Sequence, residues 1–370
     1  MKARWEHRLD QWTGAGLIDA AAAGRIRDFE AKREKDRGLG WPVMPAIGLG
    51  GLLLGAGVLL FVAAHWDKLA PGERFGLVLL LVGLFHVGGA LAAGRFAVLS
   101  TTLHAVGTIC LGAGIFLSGQ IFNLQAHWPG GVMLWALGAW AAWALLRDWP
   151  QAALVAVLTP VWLLCEWIEA TYRWQGFERI LTEGVLLLSI TYLTAVLPGK
   201  ETPARKALAW LGGLALIPAA LAVILIPAFS SRTPLPLPWK YQVLGWTAAM
   251  ALPLALAWCL RGKAFWMNLI AGPWVLMLGA VGYLGSHVIC ALGSIGSIAW
   301  GIREARKALI NLGIAGFALT VFSFYFSTLF DKLGRAASLA GMGILFLVGG
   351  WLLEKMRRKL MAHLEEKGEA

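Results

Sequence analysis

Three groups of polar residues stand at the ends of, or inside, long apolar runs, where a polar side chain needs a reason. The first lies in LSGQIFNLQAHWPGG, residues 117–131, which contains neither Lys nor Arg. Gln120 and Asn123 are three residues apart, so on a helix they share a face. A side-chain amide in lipid must find hydrogen-bond partners, which turns both toward other helices. With Trp66, Asp67, His127 and Trp128 they could line a substrate-binding pocket; a cluster that only locks helix ends together is the competing reading. The second group is His86 and His104, placed symmetrically about Arg95 and hence at one depth, about 10 Å inside the membrane boundary at the helical rise. Two intramembrane imidazoles could relay protons or ligate haem or metal, or could simply bond to each other. The third group is Glu166, Glu169, Glu178 and Glu183, with Arg173 and Arg179 nearby. Glu166, Glu169 and Glu183 read as an outer-rim acidic set, able to act as acid and base or to bind a headgroup. A solvated loop with local ion pairs explains the same residues.

These groups come without a recognisable catalytic frame. The chain has no Walker A, HExxH or GxSxG motif, and neither a cofactor nor a metal is expected. No carboxylate, Lys or Arg falls near the middle of an apolar run, which weighs against classical ion-coupled transport. Cys110, Cys165, Cys259 and Cys290 all fall in apolar runs without CxxC spacing, and read as buried, inert thiols.

The elements that would position these residues follow from composition. Of 370 residues 58% are hydrophobic and 14% charged, too few polar residues to cover a soluble core of this size. The fold class is all-α, a polytopic transmembrane bundle. With about 20 residues needed per crossing, spans are expected near 43–65, 75–93, 98–122, 130–146, 150–168, 180–197, 206–228, 241–260, 265–281, 284–301, 308–329 and 335–353. The net charge of +11 lies between these runs and marks topology, not nucleic-acid binding. With twelve spans only Lys68, Arg74, Arg173, Arg179, Arg232, Lys240, Lys332 and Arg335 fall on one side, and the remaining 24 of the 32 basic residues on the other. Merging 265–301 into one span would spoil that asymmetry. Both termini are therefore placed in the cytoplasm. Trp41, Trp66, Trp128, Trp149, Trp239 and Trp351 stand near span ends as interfacial anchors.

Residues 1–40 read as a cytoplasmic helical hairpin, 41–353 as the membrane domain and 354–370 as a basic amphipathic tail. Asp19 should cap a helix through AAAAGRIRDFEAKREKD, with Leu17, Ile18, Ile26 and Phe29 closing against a first helix that carries Trp5, Leu9 and Trp12. Leu353, Met356, Leu360 and Leu364 form one stripe of the tail. SSRTPLPLPWK, with Pro234, Pro236 and Pro238, reads as an extended spacer. Pro160, Pro218, Pro253 and Gly272-Pro273 interrupt four spans, where freed backbone groups could meet a substrate. LGAG at 54–57 and again at 111–114 suggests a parallel repeat. Gly51 and Gly55 permit close helix contact within one chain or in a homo-oligomer.

The order LDQWTGAGLIDAAAAGRI, GLLLGAGVLLFVAAHWDKLAPGER, GAGIFLSGQIFNL and later NLGIAGFALTVFSFYF resembles the bacterial membrane proteins grouped as the domain-of-unknown-function 2157 family. The resemblance is strongest over residues 5–145. It implies a polytopic bacterial inner-membrane protein and nothing catalytic. Three functional readings follow: binding or moving a small or lipidic substrate without catalysis; a structural or regulatory component whose N-terminal hairpin holds a protein partner; and an enzyme acting on a lipid-linked substrate.

Overall fold

Every named element among the described residues is helical, as hydropathy and the scarcity of alternating patterns require. The computed structural model describes residues 12–36, 70–121, 127–197, 201–229 and 235–325, with a few single positions besides. The helices are α1 (Ala20–Asp36), α2 (Pro71–Ala92), α3 (Ala97–Ile121), α4 (Pro129–Leu146), α5 (Trp149–Thr171) and α6 (Phe177–Leu193). They continue as α7 (Pro203–Phe229), α8 (Trp239–Arg261), α9 (Trp266–Ala280), α10 (Tyr283–Arg303) and α11 (Lys307–Phe324). The chain divides into two compact units, Met1–Ala126 and His127–Ala370.

In the first unit, Asp19 caps α1: its Oδ1 accepts from the Ala22 amide at 2.5 Å. The expected apolar closure is not seen among the described residues, where Ile18 is half-buried and Trp5 falls outside them. Leu17 and Phe29 are 74% and 64% exposed, and Ile26 is exposed too, whereas Leu9 and Ala23 are buried. Among the described side chains of α1 the buried one is Ala23, and the bulky Ile26 and Phe29 face outward. Helices α2 and α3 form an antiparallel hairpin around Phe85, Val106 and Cys110.

The second unit is built on α6, which is buried along most of its length. Its packing partners are α7, α8, α9 and, at its tyrosine, α5. Lipid is as apolar as leucine, so such helices are held by close packing and by polar bonds between them. Gly212 of α7 lies so near α6 that an added Cβ would be 2.5 Å from the Ser189 carbonyl and would overlap the Leu193 backbone. The core between these helices holds Leu186, Leu187 and Ile190 of α6, Ala219 and Val223 of α7, and Val275 and Leu278 of α9.

Eight stretches of the described residues are long and apolar enough to cross a membrane. One of them, 239–280, is twice the needed length, and its contacts show that it reverses. Thr191 Oγ1 of α6 donates to the Pro253 carbonyl, and Arg261 reaches Thr194, so α8 runs parallel to α6. Asn268, at the start of α9, also bonds Thr194, while Gly279 near its end lies against Glu183, so α9 runs the other way. The reversal is made by a 3-10 turn at Gly262–Phe265, opened by Gly262 at φ +57°, where glycine is favoured. Residues 265–301 likewise form two helices, α9 and α10, parted at Val281 and Gly282. Ten of the expected spans thus coincide with α2–α11, although α6 and α9 have only 17 and 15 residues. The spans at 43–65 and 335–353, the LGAG copy at 54–57 and the tail stripe lie outside the described residues.

The described part of the proline spacer, from Leu235 on, is docked. The Gln175 amide donates to the Leu235 carbonyl at 2.8 Å, Gln175 pairs with Pro236 in an isolated bridge, and Leu237 is buried. Cys259 is exposed on the outer face of α8, against the expectation that all four thiols are buried.

Candidate functional site

The two intramembrane histidines meet. His86 Nδ1 and His104 Nδ1 are 3.1 Å apart, with ring centroids at 5.3 Å. Each ring rests over a glycine of the opposite helix, one turn beyond the other histidine. A Cβ added at Gly89 would lie 2.9 Å from the His104 ring, and one at Gly107 would lie 2.9 Å from the His86 ring. One Nδ1 must donate and the other accept, so the two Nδ1 atoms share a single proton. That arrangement can hold or pass a proton, and it equally ties α2 to α3.

At the start of α4, His127 and Trp128 turn to α5. His127 Nε2 is 2.6 Å from Glu166 Oε2, Trp162 Nε1 donates to Glu166 Oε1 at 3.0 Å, and Trp128 Nε1 donates to Glu169 Oε2 at 2.8 Å. Two residue sets that the sequence separates, the histidine-tryptophan exit and the acidic rim, are therefore one cluster. Both oxygens of Glu166 are engaged, which makes it a poor acid or base as it stands. Of the other expected pocket residues, Gln120 is exposed at the end of α3 in the first unit, and Trp66, Asp67 and Asn123 lie outside the described residues.

Glu183 is not at a wet rim. Helix α6 starts at Phe177, which puts Glu183 two residues from its midpoint, and the side chain is fully buried. Arg179 Nε donates to Oε1 at 2.7 Å, and the absent side chain of Gly279 makes room for the carboxylate. Its Oε2 has no partner among the described residues.

At the opposite end of α6 the last carbonyls are exposed as acceptors, as at any helix C-terminus, and arginines occupy them. Arg306 donates to Leu193 O at 2.9 Å, Arg205 to Ala195 O at 2.9 Å, and Arg261 to Thr194 O. Arg261 also pairs with Glu304 and lies over the Trp300 ring at 5.2 Å. Burial pulls the Arg306 guanidinium below its usual pKa, and neighbouring Arg261 adds to that, with Glu304 and Glu201 opposing. The sequence counts Arg261 and Arg306 only as topological charges. The lone Asn268 inside an apolar run is the signal that could have marked this end.

Beside it, between α6, α7, α9, α10 and α11, is a cavity of about 810 Å³. Its walls are apolar for the most part, from α7 residues such as Leu216 and Ala220 and α11 residues such as Leu312 and Leu319. Polar groups enter at few points: Thr194, Ser286, Ser294, Ser297, Thr320, Ser323 and His287, whose Nε2 is 3.3 Å from Ser323 Oγ. Trp266 and Arg303 stand at the arginine end, with Arg303 over the Trp266 ring at 5.1 Å. Proline-freed carbonyls do not supply the lining at Pro160: the carbonyl it releases, Ala156 O, accepts from Tyr192 at 2.7 Å.

Fold and site together define a polytopic helical membrane protein with an apolar cavity inside one unit of the bundle. Residues 10–151 match the model of a family described as "Predicted membrane protein (DUF2157)", in line with the resemblance read from the sequence. The match ends just inside α5 and so does not reach the cavity. No curated protein and no solved structure matches the chain.

Proposed function

We propose that this protein binds or moves a lipidic small molecule in the cavity between α6, α7, α9, α10 and α11, without catalysis. The carrying observation is the cavity itself, whose size falls in the range of about 300–1,000 Å³ used by small-molecule sites and whose walls are apolar with few convergent polar groups. Twelve spans with both termini in the cytoplasm of a bacterial inner membrane complete the reading. Its supports are the reversal between α8 and α9 and the gathering of Arg205, Arg261, Arg303 and Arg306 at one end of the second unit, opposite Glu166 and Glu169. The test is lipid extraction from the purified protein followed by mass spectrometry. Wild type should carry stoichiometric lipid, and Ala220→Phe, which fills part of the cavity, should lose it while remaining helical and monodisperse in detergent. Equal lipid on both proteins would defeat the reading.

A second reading is favoured by Leu17 and Phe29, whose exposure leaves an apolar surface around α1. In that reading the N-terminal hairpin holds a protein partner. Deleting residues 1–38 should then abolish co-purification of that partner while lipid content is unchanged.

A further inference from the structure

We infer that the cavity takes an anionic phospholipid, with its phosphate at the arginine end beside Arg303 and Trp300 and its acyl chains among α7, α9 and α11. This rests on the reading of the cavity as a lipid site and names the class of lipid.

Three observations carry it. The lining holds one formally charged side chain, Arg303, and no carboxylate. Trp300 Nε1, also on the lining, is a shielded donor with no acceptor among the described residues. Behind the lining, Arg261 and Arg306 hold the carbonyls of Thr194 and Leu193, both cavity residues, and each keeps a buried N–H without a partner among the described residues: Arg261 Nε and Arg306 Nη1. Guanidiniums therefore stand at one end of the cavity, Arg303 on its lining and Arg261 and Arg306 behind it, and of the three Arg261 is the one bonded to Glu304. Guanidinium and indole N–H groups arriving from several directions suit the several oxygens of a phosphate. Basic pockets between helices on the cytoplasmic side are where anionic headgroups bind. A free anion would leave the apolar walls unused, a lipid without phosphate would leave the donors unanswered, and a zwitterionic phospholipid would bring a second, cationic group to the end where Arg303 stands.

Access is lateral. Leu221 and Leu225 of α7, Ile270 of α9, Leu292 of α10 and Leu319 of α11 line the cavity and are each at least 40% exposed. The cavity wall is thus part of the surface that faces the acyl chains of the bilayer, and a lipid can enter without crossing water.

The experiment uses the full chain in neutral detergent, titrated with phosphatidylglycerol, with phosphatidylcholine of the same chains, or with inorganic phosphate, read by native mass spectrometry and thermal shift. Phosphatidylglycerol should bind about fivefold more tightly than phosphatidylcholine, the value of one well-placed basic group. Arg303→Gln should erase that preference and Arg303→Lys should keep most of it, whereas Trp300→Phe, which removes a donor to the phosphate that both lipids carry, should weaken both alike. Equal binding of the two lipids by wild type would overturn the headgroup assignment while leaving lipid binding in place. Binding of neither would remove both readings. A preference that survives in Arg303→Gln, or unchanged binding of both lipids by Trp300→Phe, would put the phosphate elsewhere, and phosphate alone stabilising as well as the lipid would also refute the proposal.

Discussion

In the α2–α3 hairpin His86 and His104 are each other's partner through Nδ1, each ring lying over a glycine of the other helix. Around α6 the polar groups are more numerous and do not close. Arg261, Glu304 and Asn268 bond one another or Thr194, yet each retains a buried atom with no partner among the described residues. A polar group in lipid is costly unless it is answered. Among the described residues the hairpin leaves no fully buried side-chain polar atom without a partner, and it gains adhesion between two helices. The second unit keeps unmatched donors at Arg261, Trp300 and Arg306 beside a cavity, with unmatched acceptors at Glu304 and Asn268, and such donors are what a ligand can use. Buried polar side chains serve as glue in one place and are available for recognition in the other, and the number of fully buried atoms left without a partner distinguishes them.

Removing partners should separate the two regions by size of effect. Arg261→Ala leaves Glu304 buried without its guanidinium, a loss of about 3–5 kcal/mol. Thermal unfolding in detergent should show a large drop, and Arg261→Met with Glu304→Leu should recover most of it. A small change in the single variant would mean that the pair is already hydrated and that the contrast with the hairpin is false. Gly107→Leu drives a side chain into the His86 ring and should cost about 1–3 kcal/mol, with part of the loss regained when His86→Ala is added. If the second substitution regains nothing, the glycine is not there for the histidine. His104→Leu removes a single interhelical bond and should cost only about 0.6–1.7 kcal/mol. A penalty as large as that of Arg261→Ala would show that the histidine pair is tied into a wider network.

Helix positions were legible because a membrane segment announces itself by length and apolarity, and the charge asymmetry correctly asked for two helices over 265–301. The pairing of His86 with His104 was legible too, since a tight turn at Arg95 fixes equal depth on both helices. The joining of His127 and Trp128 to Glu166 and Glu169 was not. The residues lie 39 and 41 positions apart, and rim polarity has no periodicity to follow. Glu183 was misplaced because the apolar run begins at Ile180, whereas the helix begins a turn earlier at Phe177. The cavity was hidden for a different reason. Its walls are assembled from apolar faces of five helices, and each face alone reads as ordinary packing.

The arginine clasp on the end of α6 has a consequence for how the chain is made. Leu193 is synthesised 113 residues before Arg306, and Thr194 precedes Arg261 by 67. Helix α6 also carries Glu183 and several hydroxyls, and is therefore the crossing that the insertion machinery has least reason to accept by itself. Its register must stay provisional until the α10–α11 loop emerges, so the middle of this protein is completed last.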